Sequence, residues 1–365
     1  MLFHILILKE IHRMNHTSHN VTIGDVAKAA GTSVSTVSRV LSGSTYPVSA
    51  AKRERVLHAA NTLGYEPNLL GRMLKTNTNP SIGIIIPSFQ NPFYTQLIIG
   101  IEKEAMANNY FPLVFSSQRS PETERNLINN LIKNRVKGLM ISSIDDSPQA
   151  VDHFVSTGGK VCIFESNYSD TDKVINAKTD MLGAGRTAAE YLISQGHRSI
   201  AFLSTPFNRQ SRIMTLDGYK LALANNGLSF SEDDVMTVQY ESEADSGLYE
   251  MEAGHKLADK FLEAKKRKDY TAIMAVNDLI AYGIIQRLQE KGLGIPDDLS
   301  IISFDNIPYS GLINPPLTTM DMPARLLGQR ACHLIIDSLN SNEDHNGITL
   351  SVSAELVVRR SVKAL

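Results

Sequence analysis

In residues 21–43, VTIGDVAKAAGTSVSTVSRVLSG, short hydroxylic and apolar side chains surround a single guanidinium. Val34, Ser35, Ser38 and Arg39, with Thr36 beside them, fall on one side of a 3.6-residue period. That mixture suits a helix lying in a DNA major groove, where Arg can place two hydrogen bonds on a guanine edge and Ser and Thr can reach bases or phosphates. A helical hairpin with an ordinary polar outer face has the same spacing, so the pattern alone leaves both readings open. Two short helices are needed to present these groups. Thr22 as N-cap, with Asp25 three residues later, predicts the start of the first. Val26, Ala27 and Ala30 supply its apolar face and Gly31 ends it. Ser33 is expected to cap the second, in which Val37, Val40 and Leu41 keep the inward side.

The run DVAKAAGTSVSTVSRVL closely resembles the helix-turn-helix that opens the proteins of the lactose-repressor (LacI/GalR) family of bacterial transcription regulators. The resemblance implies an operator-binding module with Thr22, Ser33, Val34, Ser35, Thr36, Ser38 and Arg39 on the DNA side. The loop STYP that follows Gly43 is slightly longer than the family usually carries. Ser49 is then expected to cap a third helix over residues 50–63, with Val56, Leu57, Ala60 and Leu63 packing on the first two and Gly64 closing it. Lys52, Arg53 and Arg55 can face phosphates or simply solvent.

Charge supports the same division. The chain of 365 residues carries a formal net charge of -2, yet residues 1–79 hold nine Lys/Arg against four Asp/Glu, leaving an acidic remainder. A basic head on an acidic body fits a DNA module joined to a sensor that DNA should repel. The length favours two or three domains, and a hydrophobic fraction of 42% is enough for substantial cores. The apolar opening MLFHILIL is too short to span a bilayer, and no small-residue cleavage site follows. Residues 1–20 read as an extension outside the fold, with Met14 the expected translation start.

Residues 65–81, YEPNLLGRMLKTNTNPS, are linker and instrument together. Pro67 and Asn68 can begin a short helix running to Leu74. The family has a hinge helix here that forms when two subunits sit on an operator, and its leucine wedges into the minor groove and kinks the DNA. The matching wedge is Leu74, with Asn68 also assigned to the DNA side. Gly71 stands where alanine is common and weakens such a helix by about 1 kcal/mol. The alternative is an ordinary docking face of Leu69, Leu70, Met73 and Leu74.

From Ile82 the period changes. IGIIIP, PLVFSS, GLMISS, KVCIFES, SIAFLS, VMTVQY, AIMAVN and LSIISFD are short apolar runs alternating with helical stretches, the mark of doubly wound parallel sheets. The expected architecture is a small all-α helix-turn-helix domain plus a bilobed α/β core of two parallel-sheet subdomains. From about Ser81 onward the chain resembles the lactose-repressor core, itself similar to periplasmic sugar-binding proteins, through NPFY, GH, ND, FDN, PPLTT and ELVVRRS. The expected boundaries are 21–65 for the head, 66–80 for the hinge and 81–365 for the core. Within the core, 81–195 with 319–343 would form one lobe and 196–318 with 344–365 the other.

Ligands of open α/β sheets gather beyond the carboxyl ends of the strands. Phe93 and Tyr94 after the first strand can supply an apolar wall, while Asn277 after AIMAV and Asp305 after ISF can pair hydroxyls, a mixture that suits sugars. Each of these taken singly can also be a cap or a turn, and Asp278 in particular can cap the helix LIAYGIIQRL. The family's effector contacts carry over to Phe93, Tyr94, Asn277 and Asp305, and the arginine cluster to Arg209 and Arg212. Thr215 stands where members often place an arginine, and Ser303 replaces a usual glycine. His197, in the family's GH turn, reads as structural. Cys162 and Cys332 read as buried thiols, without metal spacing. No phosphate loop, metal cluster or nucleophile elbow appears, so no cofactor and no enzyme are expected.

The reading is a cytoplasmic, nucleoid-associated transcription regulator, a homodimer on palindromic operator DNA, repressing carbohydrate-utilisation genes under a sugar-like effector. Its rival is a carbohydrate-binding protein with a vestigial head. Residues 361–365, after Arg360, do not resemble the heptad tail that would build a tetramer, and the expectation beyond a dimer stays open.

Overall fold

Thr22 opens the first helix as its spacing predicts: Asp25 N–H donates to Thr22 Oγ1 at 3.3 Å, and Thr22 N–H donates to Asp25 Oδ2 at 2.8 Å. The computed structural model describes residues 21–41, 46–65, 79–165, 171–238, 248–341 and 345–365. The chain divides between Thr78 and Asn79 into two compact units. The described part of the first holds α1 (Ile23–Ala29), α2 (Val34–Leu41) and α3 (Ala50–Leu63). Gly31 turns the chain between α1 and α2 with φ +61°, and Ser33 accepts the Thr36 N–H at 3.2 Å. Val26, Ala27, Ala30, Val37, Val40, Val56, Ala59 and Ala60 form the small shared core.

Two details of α3 differ from expectation. Ser49 makes no side-chain capping bond. The inward residues are Val56, Ala59 and Ala60, while Leu57 and Leu63 are 50% and 36% exposed. Positions i, i+3 and i+4 share a face, and Leu57 is turned about 100° from Val56. The hinge helix, with Asn68 and Leu74, lies outside the described residues, as do the first twenty.

The second unit contains two six-stranded sheets. The first runs β11-β5-β4-β3-β1-β2, from β1 (Ser81–Ile86), β2 (Phe111–Ser116), β3 (Gly138–Ile141), β4 (Lys160–Phe164), β5 (Ile175–Thr179) and β11 (Thr349–Val352). All of its pairings are parallel. The second runs β12-β10-β9-β8-β6-β7, from β6 (Ile200–Ser204), β7 (Val235–Thr237), β8 (Ala272–Ala275), β9 (Ser300–Asp305), β10 (Thr318–Asp321) and β12 (Glu355–Val357), with β12 alone antiparallel. Every residue of β1 is buried, as its unbroken apolar run predicts.

Helices cover both faces of each sheet. In the first lobe, α4 (Pro92–Ala107) and α11 (Ala324–Asn340) bring Leu97, Ile101, Leu327 and Ile335 to one face. The other face receives Ile128 and Leu131 of α5 (Pro121–Lys133) and Phe154 of α6 (Gln149–Ser156). In the second lobe, α7 (Met181–Ser194) and α8 (Gln210–Asn225) supply Leu192, Tyr219 and Leu223, and α9 (Tyr249–Lys265) and α10 (Asp278–Glu290) supply Leu257, Phe261 and Ile284.

These memberships move the expected lobe boundaries. Helix α7 packs in the second lobe, so the chain leaves the first after β5 rather than near residue 195. Strand β10 also belongs to the second sheet, and β11 to the first, whereas the expected division assigned residues 319–321 and 349–352 the other way. The apolar runs carry no mark of which sheet edge they join; hydrogen bonding to Ile302–Asp305 places β10, and pairing with Asn176–Thr179 places β11.

Three helix pairs cross at glycines. A Cβ at Gly218 of α8 would lie 2.2 Å from the Leu182 carbonyl oxygen, and one at Gly185 of α7 would lie 2.3 Å from that of Thr215. Gly100 with Gly328 joins α4 to α11 in the same manner, and Gly254 with Gly283 joins α9 to α10. Because the obstacle is backbone, Gly218→Ala must push two packed helices apart, and an expected loss of about 1–3 kcal/mol follows. Urea unfolding measures it; an unshifted midpoint would mean the crossing yields freely.

Candidate DNA-reading helix and effector cleft

Helix α2 turns Val37 and Val40 inward and leaves Ser33, Val34, Ser35 and Arg39 exposed, with Thr36 and Ser38 half-buried. Ser33 Oγ lies 2.9 Å from both Ser35 Oγ and Thr36 Oγ1, so the hydroxyls pair locally. The Thr22 hydroxyl is already engaged, donating to Asp25 Oδ2 at 2.7 Å. Of the expected DNA-side residues, the described unit therefore brings six onto α2 and its cap, with Thr22 at the start of α1. Asn68 and Leu74 lie outside the described residues.

In the second unit, the six expected effector residues Phe93, Tyr94, Arg209, Arg212, Asn277 and Asp305 all line one cleft of about 100 Å³. The strand ends explain this convergence. Asn91 follows β1 and caps α4 by accepting the Phe93 N–H at 2.9 Å, with Pro92 at the first helical position. That start sets Phe93 against Tyr94 edge to face, ring centroids 5.4 Å apart. Asn277 follows β8 and caps α10, its Oδ1 accepting the Ile280 N–H at 2.8 Å. Asp305 ends β9 with φ +108°, a backbone that favours glycine and aims the carboxylate into the cleft.

Sequence reasoning missed Asn91, Arg119, Ser142, Glu165 and Glu250, which line the same cleft. Arg119, Ser142 and Glu165 lie just past the ends of β2, β3 and β4, so inspecting every strand end would have found them. Glu250 lies in the first turn of α9, where no strand-end signal exists. It accepts from Asn277 Nδ2 at 2.8 Å within its own lobe and from Asn91 Nδ2 at 3.2 Å across the cleft, with Arg119 Nη2 3.8 Å away. Arg209 crosses in the other direction, donating to Ser142 Oγ at 3.1 Å. Arg212 instead turns back to Pro206 O at 2.8 Å and Asn208 Oδ1 at 3.0 Å.

Glu165 and Asp305 sit in an environment that resists their charge. Burial pushes Glu165 up to about 7, against its bond from the Thr179 N–H. Burial, with the negative charges of Asp278 and Glu250, holds Asp305 well above the usual carboxylate range.

Asp278 does not cap α10; Asn277 does. Asp278 is wholly buried one residue on, accepting from Ile307 N–H at 2.9 Å, Thr319 Oγ1 at 2.7 Å and the hydroxyls of Ser303 and Ser310. Ser303 and Ile307 flank Asp305, so one carboxylate holds both sides of its left-handed turn. His197 is buried between Thr271 Oγ1 at 3.0 Å and Lys363 O at 3.1 Å, a tie between strands and chain end. Cys162 and Cys332 are free, buried thiols in the first lobe's core.

Residues 22–68 match the family described as bacterial regulatory proteins, lacI family, and residues 79–357 match periplasmic binding proteins and sugar binding domain of LacI family. The chain belongs to the LacI family. Among relatives of this LacI-family regulator, the HTH-type transcriptional repressor PurR of Pasteurella multocida is 32% identical, with 94% of this chain and 99% of that one covered. PurR of Histophilus somni is 31% identical at the same coverage. The lac repressor dimer bound to operator and the anti-inducer ONPF superposes with TM-score 0.79 at 26% identity, covering 94% of this chain and 99% of that one. A complex of the transcriptional regulator CelR with cellobiose superposes with TM-score 0.69 at 25% identity, covering 93% and 99%. The protein is accordingly a DNA-binding transcriptional repressor with an effector-binding core and not an enzyme. The rival reading of a vestigial head loses to these full-length relatives. No helix among the described residues is long and apolar enough to cross a membrane.

Proposed function

We propose that this repressor holds a palindromic operator as a homodimer, in the cytoplasm and on the nucleoid, and that a neutral, polyhydroxylated, sugar-like effector switches its grip. The observation that carries the effector class is the cleft's balance of polar groups. Glu165, Glu250 and Asp305 face Arg119, Arg209 and Arg212 beside the Phe93–Tyr94 wall, so acid and base are matched three against three and both kinds are tied to protein partners. A neutral polyol finds donors and acceptors in this matched set without adding a net charge to it. The solved relatives named for operator and cellobiose complexes support the same class by analogy.

The cross-cleft bonds of Glu250 and Arg209 tie the two lobes, so a ligand that takes over these donors changes the balance between lobe arrangements. The effector acts through its unequal affinity for those arrangements. Residues 66–80 are the hinge in this reading, with Asn68 at its start and Leu74 as the minor-groove wedge.

The test is titration of the full-length protein on DNA upstream of its own gene, with a panel of neutral sugars, sugar acids and sugar phosphates. Relief of binding by a neutral sugar supports an inducible repressor, and strengthening by one supports corepression. A response confined to the anionic compounds overturns the neutral class. On the same DNA, Arg39→Ala is expected to cost about 1–3 kcal/mol of specific binding and to relax preference at one base pair. An equal loss on every sequence would make Arg39 a phosphate contact.

A further inference from the structure

The Arg39 guanidinium lies under an aromatic ring from beyond its own helix: its Cζ is 4.1 Å from the ring centroid of Tyr46. Tyr46 is 55% exposed, so core packing does not account for its position. Pro47 follows it and biases its backbone to an extended form. Val48, one residue further, packs against the three-helix core and anchors the segment. The ring is thus carried close to a core-packed residue and lies beside the exposed face of α2.

We propose that Tyr46 is a specificity-determining residue that orients the Arg39 guanidinium for a guanine edge. The inference rests on Arg39 facing the major groove. A ring stacked on the flat face of a guanidinium leaves its in-plane N–H groups for a bidentate contact to guanine O6 and N7, so the two contacts are compatible. Arginine has a long, rotamer-rich stem and reaches phosphates as readily as bases. A ring that holds one orientation lowers the ordering cost of the base contact and leaves the phosphate alternative less populated. Tyr46 thus acts through Arg39 and sharpens discrimination more than it raises overall affinity.

Enrichment of randomised DNA by the full-length protein, its Arg39→Ala variant, Tyr46→Ala and Tyr46→Phe tests this. The wild type should show a guanine preference that Arg39→Ala abolishes. Tyr46→Ala should weaken that same preference about two- to fivefold and leave other positions alone, as loss of an exposed cation–π contact implies. Tyr46→Phe keeps the ring and should keep the preference. No guanine preference dependent on Arg39 would fail the groove reading of Arg39 and the proposal with it. A preference lost in Arg39→Ala but intact in Tyr46→Ala would overturn the role of Tyr46 alone. A uniform loss of affinity in Tyr46→Phe would instead assign the Tyr46 hydroxyl to the DNA backbone and also overturn the proposal.

Discussion

Asp278→Ala is expected to destabilise the core by about 3–5 kcal/mol, the scale of breaking a buried charged network by removing its centre. Four donors lose one acceptor: the N–H of Ile307 and the hydroxyls of Ser303, Ser310 and Thr319. The hydroxyls can rotate toward other acceptors, but the Ile307 N–H is fixed by its loop, and a buried unsatisfied donor costs about 1–3 kcal/mol. Asp278→Asn should fall between the two states, because one amide oxygen still accepts while its NH2 faces groups that are donors themselves. Urea unfolding of the full chain reads both. A loss below about 1 kcal/mol for the alanine variant would show that the cluster relaxes around the gap. The carboxylate's own burial, which raises its pKa, opposes its charged form and tempers the loss.

Asp305→Ala is expected to remove most effector binding, with a loss of about 2–5 kcal/mol if the carboxylate pairs a ligand hydroxyl in the cleft. Its side chain leaves the wall of the cleft, while the Asp278 bonds to Ser303 and Ile307 on either side remain. Operator affinity without effector should therefore be unchanged, and the midpoint of unfolding should move little. Calorimetric titration with the compound found to shift operator binding, beside operator titration alone, separates the two. An unchanged effector affinity would remove Asp305 from the contact set, and a parallel fall in operator affinity would make it structural.

The two predictions also mark how far the primary structure could be read. Asp305 was legible because it ends an apolar run, and a strand end in an open α/β sheet is a ligand position wherever the strand sits. The same rule exposes Phe93 and Asn277, and it would have exposed Arg119 and Glu165. Asp278 looked like a cap because a carboxylate at a helix start commonly is one. Its true partners lie 25 to 41 residues away, beyond any local pattern. Leu57 was misplaced for a simpler reason: α3 offers apolar residues on more than one face, and only packing selects among them.

Local chemistry alone determined the two short helices of the head, from the Thr22–Asp25 box to the turn at Gly31, since caps and periodicity act within a few residues, while the resemblance of the whole run marked them as a helix-turn-helix. It also determined the alternation of strand and helix that makes a doubly wound core. Tertiary structure alone decided which sheet received β10 and β11, that Glu250 reaches Asn91 across the cleft, and that Tyr46 covers Arg39. The sheet memberships and the Glu250–Asn91 bond depend on hydrogen-bond ladders and close approach between segments distant along the chain. The Tyr46–Arg39 contact, though only seven residues long, depends on the path of a loop that no helical or strand period describes.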